Sequence, residues 1–258
     1  MRVEQIGDCT LYNADCMDVL PTLGSVDAVI TDPPYSVSVA GSTVTGRKGK
    51  GTRNLDFFKG DTDWRGMTSI VGDAMSLAIQ KGPRSFVAWC GHRQIGRIVD
   101  ELEGSGFATR LIYWRKKCPP PSPPGAGFCS AAEHAVYGYK PGRQWNGGQY
   151  EHNVFDADSY RFGQPGKVAH PTQKPFALIA WNVRVLTDPG DTVLDFFMGS
   201  GTTLVACAKL GRRGIGIEID PGYFDIACKR IEDAYKQPDM FVERPAPAEQ
   251  LSMLGEAK

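Results

Sequence analysis

The tetrapeptide Asp32-Pro33-Pro34-Tyr35 closes an apolar run, Val26-Asp27-Ala28-Val29-Ile30-Thr31. Two successive prolines cannot continue a hydrogen-bonded ladder, so the chain must leave a strand here with φ fixed twice. The carboxylate of Asp32 and the carbonyl of Pro33 then sit on a stiff turn as two acceptors without a donor, with the phenol ring of Tyr35 beside them. An amine on a flat ring suits that arrangement. The exocyclic amine of a nucleobase is a poor nucleophile because its lone pair is delocalised into the ring. Hydrogen bonds from its N–H groups to Asp32 and Pro33 favour the pyramidal, nucleophilic nitrogen. Tyr35 can hold the base by stacking, worth about 1–3 kcal/mol, comparable to the few kcal/mol needed to take a base out of a duplex. Taken alone, the tetrapeptide also reads as a plain Pro-Pro stop at a strand end.

A second constellation lies far along the chain. Thr192-Val193-Leu194-Asp195-Phe196-Phe197 runs into Met198-Gly199-Ser200-Gly201-Thr202-Thr203 and then a helical stretch. Strand, glycine turn and helix together bring backbone N–H groups and a helix N-terminus close to a ligand. The third position of G-x-G-x-x-G is Leu204, which makes a dinucleotide pyrophosphate a poorer fit. Glu218, nineteen residues beyond Gly199, ends the run Gly214-Ile215-Gly216-Ile217-Glu218. An acidic residue there can accept hydrogen bonds from both hydroxyls of a ribose, so the pair points to an adenosine-containing cofactor. A tight turn kept by glycines for close packing is the plainer alternative.

These residues must be positioned by an α/β domain. Short β-rich runs at 10–14, 27–31, 85–90, 110–114, 134–139, 192–197 and 214–219 alternate with helical patterns, predicting seven strands in a mainly parallel sheet. Apolar residues at helical spacing predict helices over 67–80, after Pro175 as far as Asp188-Pro189-Gly190, over 202–210 closed by Gly211, and over 221–235 opened by Asp220. The segment 39–64 is long, Gly-rich and basic, and reads as a loop with a function. The proline-rich 118–130 can be neither helix nor central strand. The polar, aromatic stretch 142–169 reads as a small insertion with Trp145, Tyr150, Phe155, Tyr160 and Phe162 as its core. One domain over 1–236 and a tail over 237–258 follow, the tail being rich in Pro, Ala, Glu and Gln.

Three motifs together, Asp32-Pro33-Pro34-Tyr35, Phe197-Met198-Gly199-Ser200-Gly201-Thr202-Thr203 and His170-Pro171-Thr172-Gln173-Lys174-Pro175, resemble the S-adenosylmethionine-dependent DNA amino-methyltransferases, which make N6-methyladenine or N4-methylcytosine. The catalytic tetrapeptide precedes the cofactor loop, as in the β group of that family, and the resemblance runs from Thr10 to Tyr235. It implies a Rossmann-like sheet of seven strands, one of them antiparallel, with a circularly permuted motif order that sets 192–197 beside 27–31 at the switch point. It further implies that Gly199, Ser200 and Gly201 wrap the methionine end of S-adenosylmethionine, with Phe197 near it. Glu218 would take the ribose, Asp15 the adenine amine, and Lys174 and Thr172 the methionine carboxylate or its surroundings. Cys16, Asp195, Thr202 and Thr203 complete the expected cofactor set, and Asp32, Pro33, Pro34 and Tyr35 the catalytic one. Phe196 stands where the family usually has proline, and Ala14 where glycine is common. Asp at the first position of the tetrapeptide is commoner among the adenine enzymes, so N6 of a flipped adenine is the expected target. N4 of cytosine presents the same chemistry, and RNA or a protein amide is the more distant alternative. No metal is implied.

Lys plus Arg and Asp plus Glu number 29 each, which argues against a polybasic binder. The distribution is uneven. Segments 46–59 and 110–143 hold eleven Lys and Arg against Asp56 and Glu133, and the remainder carries the compensating acidic excess. Double-stranded DNA is therefore expected on the basic side, with Arg47, Lys48, Lys50, Arg53, Lys116 and Lys117 as candidate phosphate contacts. Seven cysteines without a C-x-x-C pair suggest neither a disulfide framework nor a four-cysteine zinc site. With no apolar signal core, and no run long enough to span a membrane, a cytoplasmic enzyme of a bacterium or phage-infected host is expected. A homodimer is a further expectation from the family. Gln250-Leu251-Ser252-Met253-Leu254 resembles the peptides that bacterial replication proteins dock into the sliding clamp, although a plain unstructured tail explains it as well.

Overall fold

The elements named below come from a computed structural model, which describes residues 1–34, 69–119, 121–122, 127–159 and 173–236. Among the described residues, nine strands form one sheet: β1 (Arg2–Ile6), β2 (Cys9–Asn13), β3 (Ala28–Thr31), β4 (Ser85–Cys90), β5 (Ala108–Lys116), β6 (Ala132–Tyr139), β7 (Val154–Ala157), β8 (Thr192–Asp195) and β9 (Arg213–Glu218). Their spatial order is β1-β2-β9-β8-β3-β4-β6-β5-β7. The central strands β3 and β4 are buried at every position, which explains why they read as continuous apolar runs with no alternation.

The count of seven expected from the sequence is corrected to nine. The two additions are β1 and β7, the edges of the sheet, whose residues are mostly exposed or half-buried and so lack an apolar signature. β1 pairs antiparallel with β2 across a two-residue turn, Ile6 opposite Cys9. Gly7 makes that turn with φ +55°, and a Cβ there would stand 2.3 Å from the ring of Tyr235. Within the body of the sheet, β6 is the expected antiparallel strand, running against both β4 and β5. β3 and β8 pair in parallel, Ala28 opposite Val193, so the two runs far apart in sequence do meet at the switch point.

Helices cover both faces. α1 (Cys16–Val19), α2 (Ser69–Ile79) and α3 (Ile95–Gly104) bury Cys16, Val71, Ile98 and Leu102 on one side. On the other, α4 (Phe176–Leu186), α5 (Thr202–Leu210) and α6 (Pro221–Lys236) bury Leu178, Leu204 and Phe224. Their ends follow the expected signals. Pro175 precedes α4, Gly211 closes α5 with φ +71°, and Asp220 Oδ1 accepts from the N–H of Tyr223 at 2.9 Å to cap α6. α1 and α3 go beyond the expected elements, α1 being a single turn and α3 fully burying Ile98 and Leu102 alone.

The described residues of 118–130 form neither helix nor strand, as expected. Those of 142–159 do not build a separate aromatic core. Phe155, on β7, stacks on Trp181 of α4 with centroids 5.2 Å apart, and Trp145 stacks toward Tyr137 of β6 at 6.5 Å. Tyr150 is exposed. These aromatics pack on the main sheet because β7 extends it beside β5. Tyr160 and Phe162, the loop 39–64 and the tail 237–258 lie outside the described residues, as does the clamp-like peptide at 250–254. Among the described residues, no helix is long and apolar enough to cross a membrane, and no group of three His, Cys, Asp or Glu could hold a metal ion.

Candidate active site

Parallel strands deliver their C-terminal ends to one edge of a sheet, and the crevice at a switch point collects ligands there. Here β3 ends at Thr31, directly before Asp32, β4 at Cys90, β8 at Asp195 and β9 at Glu218. Between them opens a cavity of about 350 Å³ lined by Asp15, Asp32, Trp89, Lys174, Gly199 and Glu218, among others. The three motifs, scattered over the sequence, thus share one space.

On the cofactor side, both oxygens of Glu218 are already oriented by the backbone. Oε2 accepts from the N–H of Gly199 at 2.9 Å and Oε1 from that of Asp220 at 2.8 Å. Each oxygen keeps a second lone pair for a hydroxyl. Burial pushes the Glu218 carboxyl up, against the lowering effect of those N–H donors. Asp15 caps α1, accepting from the N–H of Met17 at 2.9 Å, which fixes its carboxylate at the cavity wall. Ser200, Thr202, Thr203, Phe197 and Cys16 also line the cavity. The Cys16 thiol is pushed up to about 12 by burial, so it is no nucleophile at neutral pH. Gly201 does not line the cavity. It turns the chain with φ +76°, and a Cβ there would lie 2.8 Å from that of Ala227, so its role is to let α5 and α6 approach.

Asp195 borders the cavity but holds the scaffold together. Its oxygens accept from Thr31 Oγ1 at 2.9 Å and Thr203 Oγ1 at 2.7 Å, with the Phe197 N–H at 3.2 Å, tying β8 to β3 and α5. Burial pushes this carboxyl up to about 7. A carboxyl raised in the folded state favours folding while it is protonated, and that contribution is lost as pH rises from the ordinary carboxylate range through about 7. Asp195→Asn, which cannot ionise, is expected to flatten that decline between pH 5 and pH 8 by up to about 3 kcal/mol. Urea unfolding at a series of pH values checks this, and parallel profiles for the two proteins would refute it.

On the catalytic side, Asp32 Oδ2 accepts from Lys174 Nζ at 2.6 Å. Oδ1 is buried and has no partner among the described residues. The surrounding protein pushes the Asp32 carboxyl up by desolvation, with Lys174 pulling the other way and Glu133 adding to the rise. Lys174 was expected at the methionine carboxylate or its surroundings. It does line the cavity, but its ammonium is held by two carboxylates of the protein, Asp32 and, at 3.3 Å, Glu133 Oε2. Pro34 lines the cavity and Pro33 is buried. Tyr35 and Thr172 lie outside the described residues, with Arg47, Lys48, Lys50 and Arg53. Of the remaining basic candidates, Lys117 is exposed, whereas Lys116 is largely covered and pairs with Glu133 at 2.9 Å.

Three contributors had no signal in the sequence. Trp89 is 1% exposed, lines the cavity, and its Nε1 is a buried donor without a partner among the described residues. Arg230 on α6 holds the glycine turn from behind, donating to the carbonyl oxygen of Ser200 and, at 3.0 Å, to its Oγ. Glu133 stands at the start of β6. A single Trp, Arg or Glu in an ordinary helix or strand carries no local pattern, and only sheet register or helix packing reveals the role.

The comparisons with known proteins agree with this geometry. The Type II methyltransferase M.HinfI of Haemophilus influenzae is 29% identical over 272 residues, spanning 93% of this chain and 73% of that protein. Among solved structures, the M1.HpyAVI–SAM complex has a TM-score of 0.66 and 28% identity, covering 86% of this chain and 98% of its own. The PvuII DNA methyltransferase described as cytosine-N4-specific has a TM-score of 0.66 at 18% identity, covering 90% and 93%, which is a likeness of fold. The DNA methylase family of N6 and N4 methyltransferases matches residues 26–229, and with the acceptor turn and the glycine turn opening on one cavity, the chain belongs to that family.

Proposed function

We propose that this DNA methyltransferase transfers a methyl group from S-adenosylmethionine to the exocyclic N6 amine of an adenine flipped out of duplex DNA at a specific site. The observation that carries the proposal is Asp32 Oδ1, an unpartnered buried acceptor among the described residues, on a cavity that also contains Glu218 and the glycine turn. The residues fit an adenosyl cofactor. Glu218 offers two oriented acceptors to a diol, Asp15 an acceptor to the adenine amine, and Lys174 a cation within the same space. Bound there, the cofactor supplies an electrophilic methyl group on a sulfonium.

The chain's own contribution is to hold and polarise. Asp32 accepts from one N–H of the amine and the Pro33 carbonyl from the other, which localises the nitrogen lone pair, while Tyr35 stacks on the base. No side chain forms a bond to the methyl group. The choice of adenine rests on Asp at the first position of the tetrapeptide, which is commoner among the adenine enzymes of the family. Nucleoside mass spectrometry of DNA from methylation-deficient cells expressing the protein should show N6-methyladenine. N4-methylcytosine in its place would transfer the proposal to cytosine, and neither mark from a folded, cofactor-binding protein would refute it.

A further inference from the structure

Four charged groups form a chain from the acceptor turn after β3 to the end of β5: Asp32, Lys174, Glu133 and Lys116, with successive distances of 2.6, 3.3 and 2.9 Å. Lys174 is 6% exposed at its side chain, so its charge must be matched inside the protein. Two carboxylates flank it, and they are not equivalent. Asp32 has to accept a hydrogen bond from the substrate amine at Oδ1, and a lysine fixed on Oδ2 draws away the negative charge that makes Oδ1 a strong acceptor. Glu133 has no place in the proposed methyl transfer itself.

The fold explains how Glu133 reaches this position. β6 runs against its neighbours, so it begins where the parallel strands end, with His134 opposite Cys90 at the last position of β4. A residue at the start of a reversed strand thereby joins the catalytic edge. Glu133 is also held from its other side by Lys116, whose ammonium lies 5.4 Å from the Trp114 ring centroid. The ammonium of Lys174 lies 5.9 Å from the Trp89 ring centroid, within the space between the two carboxylates.

The electrostatics separate the two acids. Burial pushes Glu133 up, but Lys174 and Lys116 together outweigh it and the net direction is down. Asp32 is raised. Glu133 is thus an acid that its two lysines hold ionised, whereas burial opposes the charge on Asp32.

Resting on the amino-methyltransferase reading above, we propose that Glu133 is a positioning residue for Asp32: it shares Lys174 with the catalytic carboxylate and holds the ammonium when the substrate amine arrives, leaving Asp32 free to accept from that amine. Lys174 needs only to lean from one carboxylate toward the other. Lys116 tunes the exchange, because it draws on the same charge of Glu133 that Lys174 uses.

The test begins with Glu133→Gln, which keeps the shape and removes the charge. Among the described residues, the titratable groups facing Asp32 and Lys174 include Glu133 from β6, Cys90 from β4 and Asp195 from β8, with Lys116 of β5 facing Glu133 in turn. Removing the negative charge of Glu133 takes away a carboxylate that competes for Lys174 and repels the charge on Asp32, so the Asp32 carboxyl should titrate at lower pH. Carbon NMR of aspartate-labelled full-length protein reads this, with the signal assigned from Asp32→Asn. Lys116→Met should move the same titration to higher pH, since Glu133 then has more hold on Lys174. In methylation assays, Glu133→Gln should lower kcat on the order of tenfold with unchanged cofactor affinity. In a Lys174→Met background the same change should cost nothing further, because Glu133 acts through the lysine. An Asp32 titration that neither variant moves would overturn the proposal, even if the wild-type protein methylates DNA normally. Should Glu133→Gln fail to fold, Lys116→Met alone decides, by the direction of its shift. Because titration needs no substrate, an inactive wild type would count against the methyltransferase reading and leave this measurement decisive for Glu133.

Discussion

Asp32→Ala is expected to lower kcat for methyl transfer by a factor of about 10³ or more while leaving cofactor affinity within a few-fold of wild type. The loss should be large because, in the proposed transfer, the carboxylate acts on the reacting nitrogen itself. Without Oδ1 the amine has only the Pro33 carbonyl as acceptor, and its lone pair stays delocalised. The fold should survive the change for a specific reason. Lys174, which donates to Asp32 at 2.6 Å, keeps Glu133 at 3.3 Å as a counterion, so no ammonium is stranded in the interior. Single-turnover methylation gives the rate and titration calorimetry the affinity. Normal turnover in the variant would remove Asp32 from the chemistry, and loss of cofactor binding would make it part of the cofactor site.

The opposite split is expected for Glu218→Ala. Each charge-assisted hydrogen bond to a buried carboxylate contributes about 1.5–3 kcal/mol, so losing its contacts to a ribose should weaken cofactor binding about 10²-fold or more. A second effect works in the same direction. Glu218 also satisfies the N–H groups of Gly199 and Asp220, so the glycine turn loses the group that orients it. The turn remains anchored by Arg230 at Ser200, which should keep kcat at saturating cofactor within about tenfold of wild type. An unchanged dissociation constant by calorimetry would refute the assignment of Glu218 to the cofactor.

What was legible in the sequence were features written in consecutive residues. The Pro-Pro stop after an apolar run located the end of β3, and the glycine turn with Glu218 nineteen residues on located the ends of β8 and β9. The central strands declared themselves because they are buried on both faces. Edge strands did not. β1 reads Arg-Val-Glu-Gln-Ile and packs little of its surface, so its pairing depends on a turn that only Gly7 hints at. Side chains that matter through register were equally silent. Glu133 counts because β6 is reversed, and Lys174 proved to be held by carboxylates because its neighbours come from β3 and β6. Trp145 and Phe155 were grouped by proximity in sequence, but each found a partner on the main body.

The bond between Thr31 and Asp195 joins residues 164 positions apart, and it marks the seam where the acceptor half of the site meets the cofactor half. During synthesis the acceptor turn emerges early and the glycine turn late. β3 therefore waits without its neighbour β8 until most of the chain has been made, and the crevice between them cannot exist before then. Closing so long a loop is a slow step of folding, since the chain entropy is lost before the distant contact rewards it. A nascent or prematurely terminated chain lacking β8 and β9 would have its acceptor carboxylate but no place for the methyl donor. Incomplete copies of this enzyme would therefore be unable to mark DNA.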